Sequence, residues 1–395
     1  MIITEEPESF TFRFVWDTDV RKMQNGSEQR ESRIQYPGIE VDAEFVFDNE
    51  EAMRAIRAAL FTGPTTAHEI AFWPMEGRVT GSTAANNIKV AAKDSAMLAA
   101  IGNRLFLRKA GEDDHIATVT GVALAAGVYT LTLNPAPAAG LREAGVSVMP
   151  LLGIYLYDEP TTSRWRLQNG MRWSLRAVSR VYFANLGLGG DDPSEHDTML
   201  LLDAASVVAK DETLAEQHQG GVMGVSLPGT LESVSLYDFA DIARQCNFSW
   251  HNSTDRQWWL NFLLIVEGRR QPFLHPTWRK DLLTDTDPVD GSNELLVLDD
   301  PDYRPWWAAV SHKRLAVMWD DGTFQPVTVE DITDNLDGTL TLGLASNIVV
   351  PSGATFLQLS FLEVVRLAND TVEFKYDAGA ASFDLPLVVV QDEPE

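Results

Sequence analysis

Period-two alternation of apolar and polar residues dominates the chain. Glu8–Val15 (ESFTFRFV) alternates through Phe10, Phe12 and Phe14, and Ile39–Phe47 (IEVDAEFVF) alternates through Ile39, Val41, Ala43, Phe45 and Phe47. Successive side chains of a strand point to opposite faces, so both runs predict half-buried antiparallel strands. Shorter strand signals follow at Ile88–Ala92, Arg104–Leu107, Ile116–Val119 and Tyr129–Leu133, separated by Gly, Asp and Ala turns. That spacing predicts a small barrel or sandwich. Val146–Tyr157 and Trp165–Val181 complete this part. A second series runs through Asn293–Leu298, Arg314–Met318, Phe324–Val329, Leu340–Leu344, Phe356–Val364 and Thr371–Tyr376, with Asp320-Asp321-Gly322 and Leu336-Asp337-Gly338 as hairpin turns.

Two segments switch to helical spacing. Glu50–Phe61 (EEAMRAIRAALF) carries Met53, Ile56 and Leu60 on one face behind Asp48 or Asn49 as a cap, and leads into Ala71-Phe72-Trp73-Pro74. Arg256–Val266 (RQWWLNFLLIV) carries Trp259, Phe262, Leu263 and Val266 on one face, with His251-Asn252-Ser253-Thr254-Asp255 as turn and N-cap, and leads into Pro272–Trp278. The β-rich blocks behind them also correspond. Arg104 falls on Arg314 at an offset of 210 (314 − 104), Thr130-Leu131-Thr132-Leu133 on Thr339-Leu340-Thr341-Leu342 at 209 (339 − 130), and Gly145 on Gly353 at 208 (353 − 145). Trp165 and Gly170 fall on Phe374 and Gly379 at 209 (374 − 165). Matches in one order at one offset predict an internal duplication. The expected fold is therefore mainly β, with two similar β-barrel or sandwich modules, each with one short α-helix, joined by an irregular linker. The expected boundaries are 1–185 for the first unit with its N-terminal arm, 186–231 for the crossover, 232–390 for the second unit and 391–395 for an acidic tail. Asn185–Pro193, rich in Gly and acid, and Gln219-Gly220-Gly221 mark the crossover.

With 395 residues, 45% of them apolar, the chain is long enough for two or three packed domains. No apolar run reaches the length of a membrane span, and MIITEEPESF carries acid where a secretory signal carries base, so the expectation is a protein made in the cytoplasm with no membrane insertion. The single cysteine, Cys246, excludes an intrachain disulfide and a zinc cluster, and reads as a small buried apolar residue. A formal charge of −26 opposes adhesion to phosphate backbones. Nucleic acid could pass such a protein without sticking to it.

Candidate chemistry is sparse. Ser194-Glu195-His196-Asp197 contains triad residue types, but side by side in a loop, where they cannot converge as a triad must. The seven histidines never pair at metal-ligand spacing, and the acidic doublets Asp113-Asp114, Asp191-Asp192, Asp299-Asp300 and Asp320-Asp321 lack an EF-hand loop and read as turn acids. No phosphate-binding glycine loop is present. No enzyme and no cofactor is expected. Asp17–Pro37, with Arg30 and Arg33, reads as a polar loop or as an arm that contacts a neighbouring subunit. Trp306-Trp307 after Pro305 reads as a subunit-interface anchor, because Trp is enriched where subunits desolvate one another. The eleven tryptophans also admit a carbohydrate-binding or host-adhesion module.

Gly26-Ser27-Glu28-Gln29-Arg30 in an early β arm, Thr213-Leu214-Ala215-Glu216-Gln217, Val266–Phe273 and Pro276–Leu282 together resemble a family of long-tailed bacteriophage tail-tip proteins of distal-tail or baseplate-hub type. The GxEQR-like element occurs once. The resemblance implies a virion structural protein whose β modules form a ring around the DNA exit channel. In that setting the ring joins the tail tube protein to the baseplate hub and tail fibres, with the tape-measure protein as a further neighbour, and DNA passes through without specific binding. Two similar units per chain admit either three chains with pseudo-sixfold symmetry or six full chains.

Overall fold

The computed structural model describes residues 2–22, 28–47, 67–92, 98–156, 161–164, 171–179, 193–203, 213–217, 220–222, 233–235, 241–300, 303–308, 312–377 and 380–390. The protein is mainly β, with 56% of it in strands. The first half supplies β1 (Ile2–Ile3), β2 (Ser9–Val15), a hairpin of β3 (Thr18–Lys22) and β4 (Glu28–Ser32), β5 (Gly38–Phe47) and β6 (His68–Ala71). It continues with β7 (Gly77–Gly81), β8 (Asn87–Ala91), β9 (Arg104–Arg108), β10 (His115–Ala125), β11 (Val128–Asn134), β12 (Ser147–Leu156), β13 (Thr161–Arg164) and β14 (Met171–Ser179). The second half supplies β15 (Glu195–His196), β16 (Met199–Leu201), β17 (Thr213–Gln217), a hairpin of β18 (Gly220–Val222) and β19 (Ser233–Ser235), and β20 (Asp241–Trp250). After a helix at Ser253–Val266 come β21 (Phe273–Pro276), β22 (Glu294–Leu298), β23 (Arg314–Trp319), β24 (Phe324–Asp334), β25 (Thr339–Leu344), β26 (Phe356–Leu367), β27 (Thr371–Asp377) and β28 (Ala380–Val389).

Six strands close a small barrel in the order β7, β8, β11, β10, β9, β12 and back to β7. Its interior is filled by Val79, Ile88, Val90, Leu105, Leu107, Val119, Leu131 and Val148, the inward members of each alternating run. In the second half β22, β25, β24, β23 and β26 pair in the same order, and Leu282 and Thr284 bridge β26 and β22 where β7 stands in the first barrel. Leu295, Val297, Leu315, Val317, Val327, Leu340 and Leu342 fill this second interior. The register of β10 on β11 shifts between Val119 and Gly121, and that of β24 on β25 between Val329 and Asp331, both at an offset of 210 (329 − 119; 331 − 121). A bulge adds a residue to one strand and sharpens its twist, which helps a narrow sheet curl. Gly145 and Gly353 both hold φ in the left-handed region, 90° and 85°.

Beside the barrels lies one continuous sheet in the order β13, β14, β5, β2, β27, β28, β20, β17. The long strands β12 and β26 leave their barrels and pair with β14 and β28, so each barrel is an outgrowth of the sheet. The alternation in β2 and β5 buries Phe10, Phe12, Phe14, Ile39, Val41 and Phe45 on one face, where they join residues of the second half in a single core. Phe12 stacks on Phe374 with centroids 4.7 Å apart, Phe374 meets Trp250 at 5.0 Å and Phe383 at 4.9 Å, and Phe383 meets Trp259 at 4.8 Å. Trp259 lies on the apolar face of the helix Ser253–Val266, whose first turn is capped by Asn252 accepting from the Asp255 amide at 2.9 Å.

The helix expected at Glu50–Phe61 and the acidic tail lie outside the described residues, as do Trp165, Gly170 and Gly379. Part of the segment expected as an irregular connector is regular. Residues 195–201 form a hairpin whose second strand runs parallel to β21, as β1 runs parallel to β6, and Thr213–Gln217 adds a strand to the sheet. Strands of two to five residues carry too few alternations to stand out among the glycines and acids of this segment. Asp17–Pro37, read as loop or arm, contributes the hairpin of β3 and β4.

Phe374 is fully buried at the junction of the two halves. Phe374→Ala should cost about 3–5 kcal/mol, whereas Leu357→Ala on the exposed side of β26 should change stability by less than about 0.5 kcal/mol. The urea midpoints of the two variants check this.

Candidate functional site

The sheet face opposite the core is polar, and cross-strand ion pairs organise it. Arg13 on β2 donates from Nη1 to Asp42 on β5 and from Nε to Glu373 on β27, each at 2.7 Å. Arg176 on β14 donates to the other oxygen of Asp42 at 3.0 Å, Arg172 lies 2.7 Å from Glu8, and the Ser174 hydroxyl donates to Glu44 at 3.2 Å. Burial works against the Arg13 charge, but its hydrogen bonds and ion pairs with Asp42 and Glu373 outweigh this and raise its pKa above the usual guanidinium value. The chain Glu373, Arg13, Asp42, Arg176 thus crosses four adjacent strands and fixes their register on the wet side. Toward β17, a groove of about 260 Å³ on the same face is lined by Gln245, Asn247, Thr371, Glu373, Lys375 and Asp384, among others. Arg13, Arg172 and Arg176 are each held by carboxylates, so this face presents mixed, internally matched charge.

The β3–β4 hairpin is locked to the second half. Arg366 on β26 donates to both Glu28 oxygens, at 2.6 and 2.9 Å. The Arg269 amide donates to Asp370 at 3.0 Å and the Thr18 amide to the same carboxylate at 2.9 Å. Arg30 lies 3.8 Å from Glu28 with its side chain only 8% exposed. Burial pushes its pKa down, the Glu28 charge opposes this and Arg366 adds to it. Arg33 is 61% exposed, about one salt-bridge length from Asp17 and Asp19. Of the two arginines expected at an interface, one is enclosed by its own chain and one faces outward.

Trp307, in the short helix Tyr303–Ala308, packs against the second barrel, donates to the Val329 carbonyl at 3.4 Å and carries the Lys313 ammonium 5.4 Å over its ring. The side chain of Trp306 lies outside the described residues. Trp250, Trp259 and Trp319 are buried, while Trp278 is 41% exposed and meets Phe324 edge-on at 5.8 Å.

The triad-like residues do not converge. Ser194 donates to Asp203, His196 contacts the Thr328 hydroxyl at 2.9 Å, and Asp197 accepts from Thr328 at 2.7 Å and from Arg314 at 3.0 Å. They clasp the β15–β16 turn to the second barrel. Asp320, Asp321 and Asp337 accept from Thr355, Thr323 and Thr339, the work of turn acids. Among the described residues no group of three His, Cys, Asp or Glu side chains is placed to hold a metal ion. Cys246 is buried in β20. No local sequence signal marks the Arg13 network or the Glu28–Arg366 pair. Each residue sits at an unremarkable polar position, and only strand register brings the partners together.

No protein-family model and no curated protein matches the chain.

His275 on β21 is buried beside Arg244, itself paired with Glu363 at 2.7 Å. Burial, followed by the Arg244 charge, pushes its pKa down from 6.5 to about 3. Between these values the unfolded chain binds a proton that the folded chain refuses, so stability falls as pH drops from 6.5 toward 3, by up to about 1.4 kcal/mol per pH unit. Burial lowers His68, His196 and His312 as well, so they contribute with the same sign. His275→Gln should remove up to ~2 kcal/mol of the stability difference between pH 6.5 and pH 5. Urea unfolding of both proteins at the two pH values measures it, and an unchanged difference would show that His275 is not the titrating group.

Proposed function

We propose that this chain is a structural component of a bacteriophage tail tip, of distal-tail or baseplate-hub type. It forms a ring around the DNA channel that joins the tail tube to the hub and fibres. The resemblance in Gly26–Arg30, Thr213–Gln217 and Pro276–Leu282 supports this reading. The observation that carries it is the repetition of one pairing plan in the two halves, down to the bulges 210 residues apart, with the halves joined edge to edge through β2 and β27. That repetition favours two modules derived by internal duplication. A ring needs repeated units that present edges in one direction, and two modules in series have that form. A polar sheet face of matched charge on a chain of net charge −26 suits a wall that nucleic acid passes without adhering. Arg33 and Trp306 remain candidates for contact between copies, whereas Arg30 and Trp307 already serve their own chain.

Light scattering of the purified protein across a concentration series tests the ring. A particle of three or six copies, about 131 or 263 kDa from a chain of 43.8 kDa, is the expected outcome. A monomer at every concentration, with no gain in mass on mixing with tail-tube protein, overturns it.

A further inference from the structure

The eight-stranded sheet ends at β13 on one side and β17 on the other. Among the described residues, β13 pairs only with β14 and β17 only with β20. Among the described residues each strand therefore has one edge without a backbone partner, and proteins ordinarily cover or pair such edges. The chain itself contains the template for covering them. Among the described residues the pairings of the first half recur in the second, with isolated bridges at Leu282 and Thr284 standing in for those of β7, and the registers fix the equivalence of the other strands. Leu105–Pro150 corresponds to Leu315–Phe361, and Ile154–Ser179 to Val365–Val389. Glu40–Val178 corresponds to Ala243–Val388, and Arg13–Glu40 to Ala215–Ala243. Thr162–Trp173 corresponds to Phe374–Phe383, so strand register puts Thr162, and not Trp165 as the sequence offset suggests, in the place of Phe374. On this equivalence β17 is the counterpart of β2, and β13 is the counterpart of β27.

Within the chain, β2 and β27 pair antiparallel, Thr11 with Lys375, Phe12 with Phe374 and Arg13 with Glu373. β17 and β13 do not pair with each other in the same chain. We infer that β17 of one copy pairs antiparallel with β13 of the next in the register Thr213–Ser163, Leu214–Thr162 and Ala215–Thr161, repeating between copies the joint that β2 and β27 make within one. The inference deepens the ring reading and rests on it: the contact is head to tail, uses the two free edges, and makes one continuous sheet of alternating first and second modules.

The test is a disulfide trap on the full chain, with Cys246 left buried in place. Ala215→Cys with Thr161→Cys, exposed to a mild oxidant at a concentration where the particle forms, should give a ladder of covalent multimers. Ala215→Cys with Thr162→Cys, one residue out of register and so on the opposite face, should give at least tenfold less. Either single variant alone should give no ladder. Hydrogen exchange on the unmodified protein supplies a second reading free of substitutions. Amides of 213–217 and 161–164 should exchange at least tenfold more slowly in the particle than in the dilute monomer. A particle of three or six copies that neither cross-links at this register nor protects these strands overturns the edge pairing and leaves the ring standing. A cross-link confined to single chains overturns the pairing between copies, because it means that the edges close on themselves. A monomer at all concentrations, without cross-link or protection, removes both readings.

Discussion

The joint between β2 and β27 is the interaction on which the rest of the structure depends. It is the seam where the two halves share a sheet, six residue pairs from Phe10–Tyr376 to Val15–Thr371. Backbone pairing alone would leave the seam open to slippage, but its two faces are fixed by different physics. On the dry side Phe12 lies flat on Phe374, and Phe14 meets the same ring edge-on at 5.5 Å. On the wet side Arg13 reaches both ways, to Glu373 and to Asp42. A shift of one residue would send the phenylalanines to water and the arginine into the core, so the register has no near competitor. The Glu28–Arg366 pair and the Asp370 carboxylate, which holds both Thr18 and Arg269, then fasten the hairpin over the end of the seam.

Much of this architecture was legible because it is written in period two. The runs ESFTFRFV and IEVDAEFVF are β2 and β5, and their phenylalanines and valines are the core residues that the alternation points to. The barrel strands and their turns at Gly322 and Gly338 were equally plain, since short alternating segments between glycines leave few other structures open. β15 to β19 were not legible: strands of two to five residues carry too few alternations to register as a pattern, and their chain neighbours are rich in glycine and acid. The side-chain networks escaped for a different reason. Arg13 and Glu373 are 360 positions apart in the chain, and nothing local to either names the other. The tryptophan pair also illustrates the limit, since Pro305-Trp306-Trp307 gives no sign that Trp307 would turn inward onto the second barrel.

Charge is distributed with the same division of labour. The chain is strongly acidic overall, yet the arginines on the polar face of the central sheet are matched to carboxylates at salt-bridge distance. Partly exposed pairs of this kind add little stability singly, but a chain of them across four strands constrains where each strand can sit. Their second consequence is electrostatic. A guanidinium held between two carboxylates has no net attraction left for a phosphate, so a surface can be rich in arginine without becoming a nucleic-acid site.

The relation between the two halves also carries a geometric consequence. If a twofold rotation related the modules, the joint that brings β2 against β27 would bring β17 against β13 in the same chain, and the sheet would close into a barrel of eight strands. β13 and β17 instead stand as the two ends of one sheet with no pairing between them. On the proposed duplication, the operation relating the two halves is therefore not a closing dyad, and applied again it would lead out of the chain. Such a series either closes after a whole number of chains or runs on as a filament. Since the step is fixed by the register of β2 on β27 and by the twist of the strands beside it, the seam that holds one chain together also sets the curvature of any assembly built from it.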